Sequence, residues 1–330
     1  MLKIDTHAHW FPQEWVDTII HEGPKCGVDI SRNEQGRIIA SMPGIRLRPN
    51  FTPPYIDIGV RLKMMDEARV DVHALSLTSP MVHWAPAELG VRLAQVFNDG
   101  CARVHAQYPT RFVGMATLPM QAPDLAVAEV KRAAQLPGIR GVYLPTHING
   151  KNLEEKAFWP VYEQCEKLSL PIFLHPVAPV GKERTGKYHL GNFLGNPYES
   201  GIAAASLIFG GVMDAFPKLD VMLPHAGGTF PWLIGRMDHG TTVRAECKHM
   251  TKPPSAYLKR FHYDTITHSD SILMYLIDHV GADRVVMGSD CPADMSYTRP
   301  VDVVERLKDL SAVQRDDIMG GNAAKLLKIA

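Results

Sequence analysis

Short uninterrupted apolar runs alternate along this chain with longer amphipathic stretches, and eight of the runs have the length and composition of strands covered on both faces. They lie at 2–7, 72–77, 112–117, 141–144, 171–175, 220–224, 261–265 and 284–288. Helix-spaced patterns occupy 57–68, 88–107, 124–134, 154–167, 199–215, 229–247, 269–280, 301–309 and 312–327. Asp57 and Ser269 stand where N-caps belong, and Gly281 where a helix C-terminus calls for glycine. Strand followed by helix, repeated eight times, predicts the α/β class and a (β/α)8 TIM barrel. Two stretches break the repeat, 12–54 after the first strand and 177–197 after the fifth. The first holds Asn33-Glu-Gln-Gly36 between short β-like runs, which predicts a hairpin; the second is rich in Gly, Pro and polar residues. Both follow carboxyl ends of strands, where barrel enzymes build their sites. The expected organisation is one domain over 1–330, with 12–54 as a small insertion or lid and 177–197 as a rim.

Composition narrows the partners rather than the fold. The chain is 45% hydrophobic and 21% charged, with 35 basic residues against 35 acidic ones. Without a basic stripe or charge run, neither nucleic acid nor a membrane surface is an expected partner. Cys26, Cys101, Cys165, Cys247 and Cys291 are scattered, odd in number and without a C-x-x-C pair, which argues against a disulfide framework or structural zinc and fits a reducing cytoplasm. The opening Met-Leu-Lys-Ile-Asp-Thr-His leaves no apolar core for a signal peptide, and the uncharged stretch 201–213 is too short to span a bilayer.

Candidate chemistry gathers at strand ends. Ile4-Asp-Thr-His7-Ala-His9 closes the first run, and alternate residues of a strand share a side, so both imidazoles face one space. The fifth run closes on Leu174-His175-Pro176, the sixth on Leu223-Pro224-His225-Ala226-Gly227-Gly228, and the eighth on Met287-Gly288-Ser289-Asp290-Cys291-Pro292. One barrel end therefore receives four histidines and an aspartate, a donor set suited to a borderline divalent cation. Where the fourth run ends, Val142-Tyr-Leu-Pro-Thr-His147 contains no lysine. His83-Trp84, His147, Tyr188, His189, Phe193 and Asp264 are further rim candidates.

These segments, with Arg61 to Val72, Leu233-Ile-Gly-Arg236 and Gly321-Asn322-Ala323, resemble the amidohydrolase superfamily end to end. Within it the likeness is to the amidohydrolase 2 branch that includes aminocarboxymuconate-semialdehyde decarboxylase. The resemblance implies His7, His9, His175 and Asp290 as metal ligands, His225 as catalytic acid/base with Asp290 beside it, and Arg48 and Arg236 as clamps on a substrate carboxylate. Arg48 alone in Ile45-Arg46-Leu47-Arg48-Pro49 precedes a proline as the family pattern asks, and an arginine fork grips a carboxylate with two parallel bonds. The resemblance further implies that Arg236 reaches in from a neighbouring copy, hence a homodimer. Many hydrolases of the superfamily hold two metals through a carboxylated lysine on the fourth strand. Its absence here implies one divalent ion, zinc first and manganese next.

The resulting expectation is a metal-dependent lyase that removes CO2 from a small unsaturated or aromatic acid. The alternative is a hydrolase of a small amide, lactone or C–C bond substrate, since the same ligands serve both. A barrel that binds without turnover is the third reading. No glycine fingerprint for a nucleotide appears, so redox and kinase readings lack support.

Overall fold

The computed structural model describes residues 1–34, 36–43 and 51–330; Arg46 and Arg48 lie outside the described residues. Eight parallel strands pair in sequence order: β1 (Ile4–His9), β2 (Val72–Ser76), β3 (Phe112–Thr117), β4 (Ile139–Pro145), β5 (Ile172–His175), β6 (Val221–Leu223), β7 (Phe261–Asp264) and β8 (Val285–Val286). The ring closes between β8 and β1 through Thr6 N–H to Met287 O at 3.0 Å, Asp290 N–H to His7 O at 2.9 Å and His9 N–H to Cys291 O at 2.7 Å. This is the expected (β/α)8 barrel, with every strand falling on an anticipated run.

Around it pack α1 (Gln13–Glu22), α2 (Ile58–Ala68), α3 (Ala87–Gln107), α4 (Pro123–Ala133), α5 (Trp159–Leu168), α6 (Asn196–Phe209), α7 (Phe230–Val243) and α8 (Asp270–Val280). Asp57 caps α2 by accepting from Gly59 and Val60 N–H, and Ser269 caps α8 by accepting from Ile272 N–H. The 12–54 excursion contains the expected hairpin, 29–32 against 38–41, turned at Asn33 and Gly36. It also contains α1, which the sequence pattern did not suggest; α1 buries Trp15, Val16 and Ile19. The helix expected over 199–215 breaks after Phe209, where Gly211 takes φ +78°.

Inside the barrel, Ile4, Val72, Ala74, Val113, Met115, Tyr143, Phe173, Met222 and Val286 form one apolar cluster that meets Ala323, Leu326 and Leu327 of the terminal helix. Alternation from inward Ile4 would aim Thr6 and Ala8 at the interior and turn His7 and His9 away. A bulge in β1 between Asp5 and Ala8 reverses that phase. Asp5 holds the bulge, its carboxylate accepting from His7 N–H and Ser289 N–H, each at 3.0 Å, and from the Ser289 hydroxyl. Fully buried Arg61 braces the same seam, donating to the carbonyls of His9 and Pro54 and to Cys291 Sγ.

Candidate metal centre and active site

His7, His9, His175, His225 and Asp290 arrive at one end of the barrel from β1, β5 and the loops after β6 and β8. One donor atom each from His7, His175, His225 and Asp290 lies within 4.8 Å of all the others. His9 joins the edge of this group: its ring centre is 4.7 Å from that of His175, and its Nε2 is 2.9 Å from Asp290 Oδ1. His7 Nε2 is 3.4 Å from the same oxygen, and His225 Nε2 is 4.0 Å from Asp290 Oδ2.

The second nitrogen of each imidazole separates the histidines into two kinds. His7 Nδ1 faces Asp264 Oδ2 at 2.8 Å, and a carboxylate has only acceptors to offer, so this nitrogen carries the proton. His175 Nδ1 meets the Pro176 carbonyl at 3.0 Å and must donate too. Ser76 Oγ spends its proton on Ala8 O at 3.2 Å, which leaves it an acceptor for His9 Nδ1 at 3.0 Å. His7 and His175 thus have Nδ1 donating and Nε2 left with a lone pair, the arrangement in which a carboxylate or carbonyl orients a metal-binding histidine, while His9 has Nδ1 on the Ser76 hydroxyl and Nε2 against Asp290 Oδ1. Buried His7 Nε2 has no hydrogen-bond partner among the described residues. A divalent cation fits this donor set. His225 differs, since its buried Nδ1 has no partner among the described residues while its Nε2 faces Asp290.

Burial pushes the His9 imidazole down to about 4 and drives that of His175 well below its usual range, so both are neutral donors. At His7 burial works the same way, but the bond to Asp264 and the charges of Asp290, Asp264 and Asp5 overcome it and raise the value. At Asp290 burial opposes ionisation, yet His225, His9 and His7 hold the carboxyl far below the carboxylate range. Asp5 is pushed up to about 6 by burial. Tyr143 of β4, the strand whose end holds no lysine, stacks its ring on His175 at 5.9 Å.

A cleft of about 240 Å³ opens beside His225 and Asp290, walled by Asn192, Phe193, Trp232 and His268. Phe193 therefore lines it as expected, whereas Tyr188 is 82% exposed. A second hollow of about 340 Å³ lies among the loops after β2, β4 and β5, with His83, Trp84 and His147 in its wall. Buried Glu199 ties the rim to α6 by accepting from Val180 N–H at 2.7 Å. Asp264, expected on the rim, is fully buried behind the cluster. Arg236 sits on the outward face of α7 beside Trp232 and Leu233, with no ion-pair partner among the described residues. Nothing in the sequence pattern pointed to Ser76 or the Pro176 carbonyl, because a residue that orients a ligand carries no spacing of its own.

A family model described as amidohydrolase matches residues 4–329. The 2-amino-3-carboxymuconate-6-semialdehyde decarboxylase of Dictyostelium discoideum is 32% identical over 329 residues, covering 99% of this chain and 91% of that one. The crystal structure of 5-carboxyvanillate decarboxylase from Sphingomonas paucimobilis superposes with a TM-score of 0.84 at 26% identity, over 100% of this chain and 99% of that one. A dihydroxybenzoic acid decarboxylase from Polaromonas sp., solved with bound manganese and the inhibitor 2-nitroresorcinol, gives a TM-score of 0.82 at 26% identity, over 99% and 97%.

Proposed function

Since this chain belongs to the amidohydrolase family, we propose that it is a metal-dependent carboxy-lyase that removes CO2, without a redox cofactor, from a small unsaturated or aromatic carboxylic acid. One observation carries the reading: His7 and His175 have Nδ1 held by an acceptor and bring one donor atom each within 4.8 Å of those of His225 and Asp290, with His9 Nε2 at 2.9 Å from the same aspartate. His7, His9, His175 and Asp290 hold one divalent ion, with zinc preferred by the imidazole donors and manganese next, as in the Polaromonas relative. Bound there, the ion would supply Lewis-acid polarisation of a substrate oxygen. His225 faces the cleft and delivers a proton to the carbon bearing the carboxylate, the new C–H bond taking its pair from the substrate's double bond; the C–C bond then breaks, its electron pair restores that double bond, and CO2 leaves. Asp290 holds His225 in the cluster and takes part in the proton balance. Arg48 and Arg236 grip the substrate carboxylate.

We read Arg236 as acting across a homodimer. The exposed face of α7 combines Trp232, Leu233 and Arg236 with Gly235, and Trp232 stacks on Tyr275 of α8 at 4.3 Å. A Cβ at Gly235 would meet no packed neighbour within 4 Å among the described residues, so their packing gives no reason for a helix-weakening glycine, whereas close approach of a second copy does. The 12–54 excursion is read as an insertion in a single domain. The five cysteines, none in a disulfide, suit a reducing cytoplasm, and no helix among the described residues is long and apolar enough to cross a membrane.

Muconate-like and hydroxybenzoate-like acids should release CO2 without taking up water, and products of hydrolysis with no CO2 would overturn the lyase reading. Elemental analysis of the purified protein should find close to one divalent ion per chain, lost in His7→Ala. In His225→Ala the ion should stay while turnover disappears; loss of the ion would make His225 a ligand instead.

A further inference from the structure

Asp264, at the last position of β7, is fully buried and accepts four hydrogen bonds. Its Oδ2 takes His7 Nδ1 at 2.8 Å and the backbone N–H of His225 at 2.9 Å. Its Oδ1 takes the N–H groups of Ala226 at 2.8 Å and Ile266 at 3.1 Å. One carboxylate therefore touches a metal-binding histidine through its side chain and the proton-transfer histidine through its backbone.

The backbone contact is unusual in what it holds. His225 and Ala226 take φ of +52° and +56°, and Gly227 and Gly228 follow at +79° and +57°. Two consecutive residues with a Cβ in the left-handed region are unfavourable for L-amino acids and persist only where surroundings over-determine them. Both of their N–H groups end on Asp264. The same turn carries the His225 imidazole to the cleft, its ring centre 5.4 Å from that of His7.

We propose that Asp264 is a positioning residue with two functions. It fixes the His7 tautomer, keeping the proton on Nδ1 and the Nε2 lone pair free for the metal, and it sets the left-handed turn that places His225 at the reacting carbon. This rests on the metal-centre reading above. The two functions are coupled because Oδ2 serves both donors at once.

The test is Asp264→Asn, which keeps shape but replaces one acceptor oxygen by an NH2. With the amide oxygen retained by Ala226 and Ile266, the NH2 faces His7 Nδ1 and the N–H of His225. His7 then accepts at Nδ1, its proton moves to Nε2, and the lone pair for the metal is gone; the N–H of His225 meets another donor and the turn shifts. Far-UV circular dichroism should remain that of the wild type. Metal affinity, measured by competition with a chelator, should fall about 10- to 100-fold, the range for loss of such an orienting partner. At saturating metal kcat should stay depressed more than KM changes, reporting displaced His225. Nitrogen-15 NMR of the imidazoles in metal-free wild type, in mildly alkaline buffer, should find His7 protonated at Nδ1, a readout independent of whether the variant folds. Wild-type His7 protonated at Nε2, or an Asp264→Asn protein with unchanged metal affinity, would overturn the first function; full wild-type kcat at saturating metal would overturn the second. His7→Ala separates the readings: if it binds metal as wild type does, the metal centre itself is wrong, and if it loses metal while Asp264→Asn does not, only the role of Asp264 is.

Discussion

Gly228 illustrates how far single atoms decide the site. A Cβ there would lie 2.0 Å from the carbonyl oxygen of Pro197, and the backbone at φ +57°, ψ −124° is one that L side chains rarely adopt. The obstructing atom is backbone, so no rotamer relieves it. Gly228→Ala should therefore destabilise the protein by on the order of 3 kcal/mol, read as a lower urea midpoint, and an unchanged midpoint would contradict this account. The sequence displayed His225-Ala-Gly-Gly plainly but not the reason for it, because the crossing of Pro197 brings together segments far apart in the chain. His7-x-His9 was legible in the same partial way. Shared side follows from alternation, but which side depends on a bulge set by Asp5 and Ser289, residues separated by most of the chain.

Elements were read well where local chemistry suffices. The helices capped by Asp57 and Ser269 begin where those residues stand, and eight apolar runs became eight strands. Asp57→Ala removes the acceptor of two N–H groups at an exposed cap and should cost about 1 kcal/mol, a drop of roughly 2 °C in Tm by calorimetry. A loss several times larger would mean that α2 and Arg61 within it hold the seam more tightly than the cap alone suggests. Legibility failed where tertiary contact overrides pattern. The three buried apolar positions of α1 give too short a periodic signal inside a stretch dominated by turn residues. The terminal helix, expected as one piece over 312–327, contains a wider turn at Asp317–Gly321. There Gly320 lets the chain pass against β1, since a Cβ would come 1.8 Å from the carbonyl oxygen of Leu2.

At the scale of the whole molecule, the exposed face of α7 makes a claim about assembly. Gly235→Arg places a long charged side chain where its own chain leaves open space, so the protomer should fold normally. If two copies meet on this face, sedimentation should find a dimer for the wild type and a monomer for the variant. The variant should keep its metal and lose CO2 release, as Arg236 no longer reaches the partner's cleft. A wild type that sediments as a monomer with full activity would remove the assembly and the role of Arg236 together.

The seam between β8 and β1 has a bearing on the order of events while the chain is being made. His7 and His9 leave the ribosome long before Asp290, and the backbone bonds that close the ring, at Thr6, His7 and His9, are made to 287, 290 and 291. The phase that turns both histidines inward also waits on Ser289. A nascent chain halted before the eighth strand would carry the histidines of β1 and β5 but not the pocket, and would have no high-affinity hold on a cation. Metal uptake would then be a late event that only finished molecules complete, and an ion withheld during synthesis could be added afterwards to a barrel already closed.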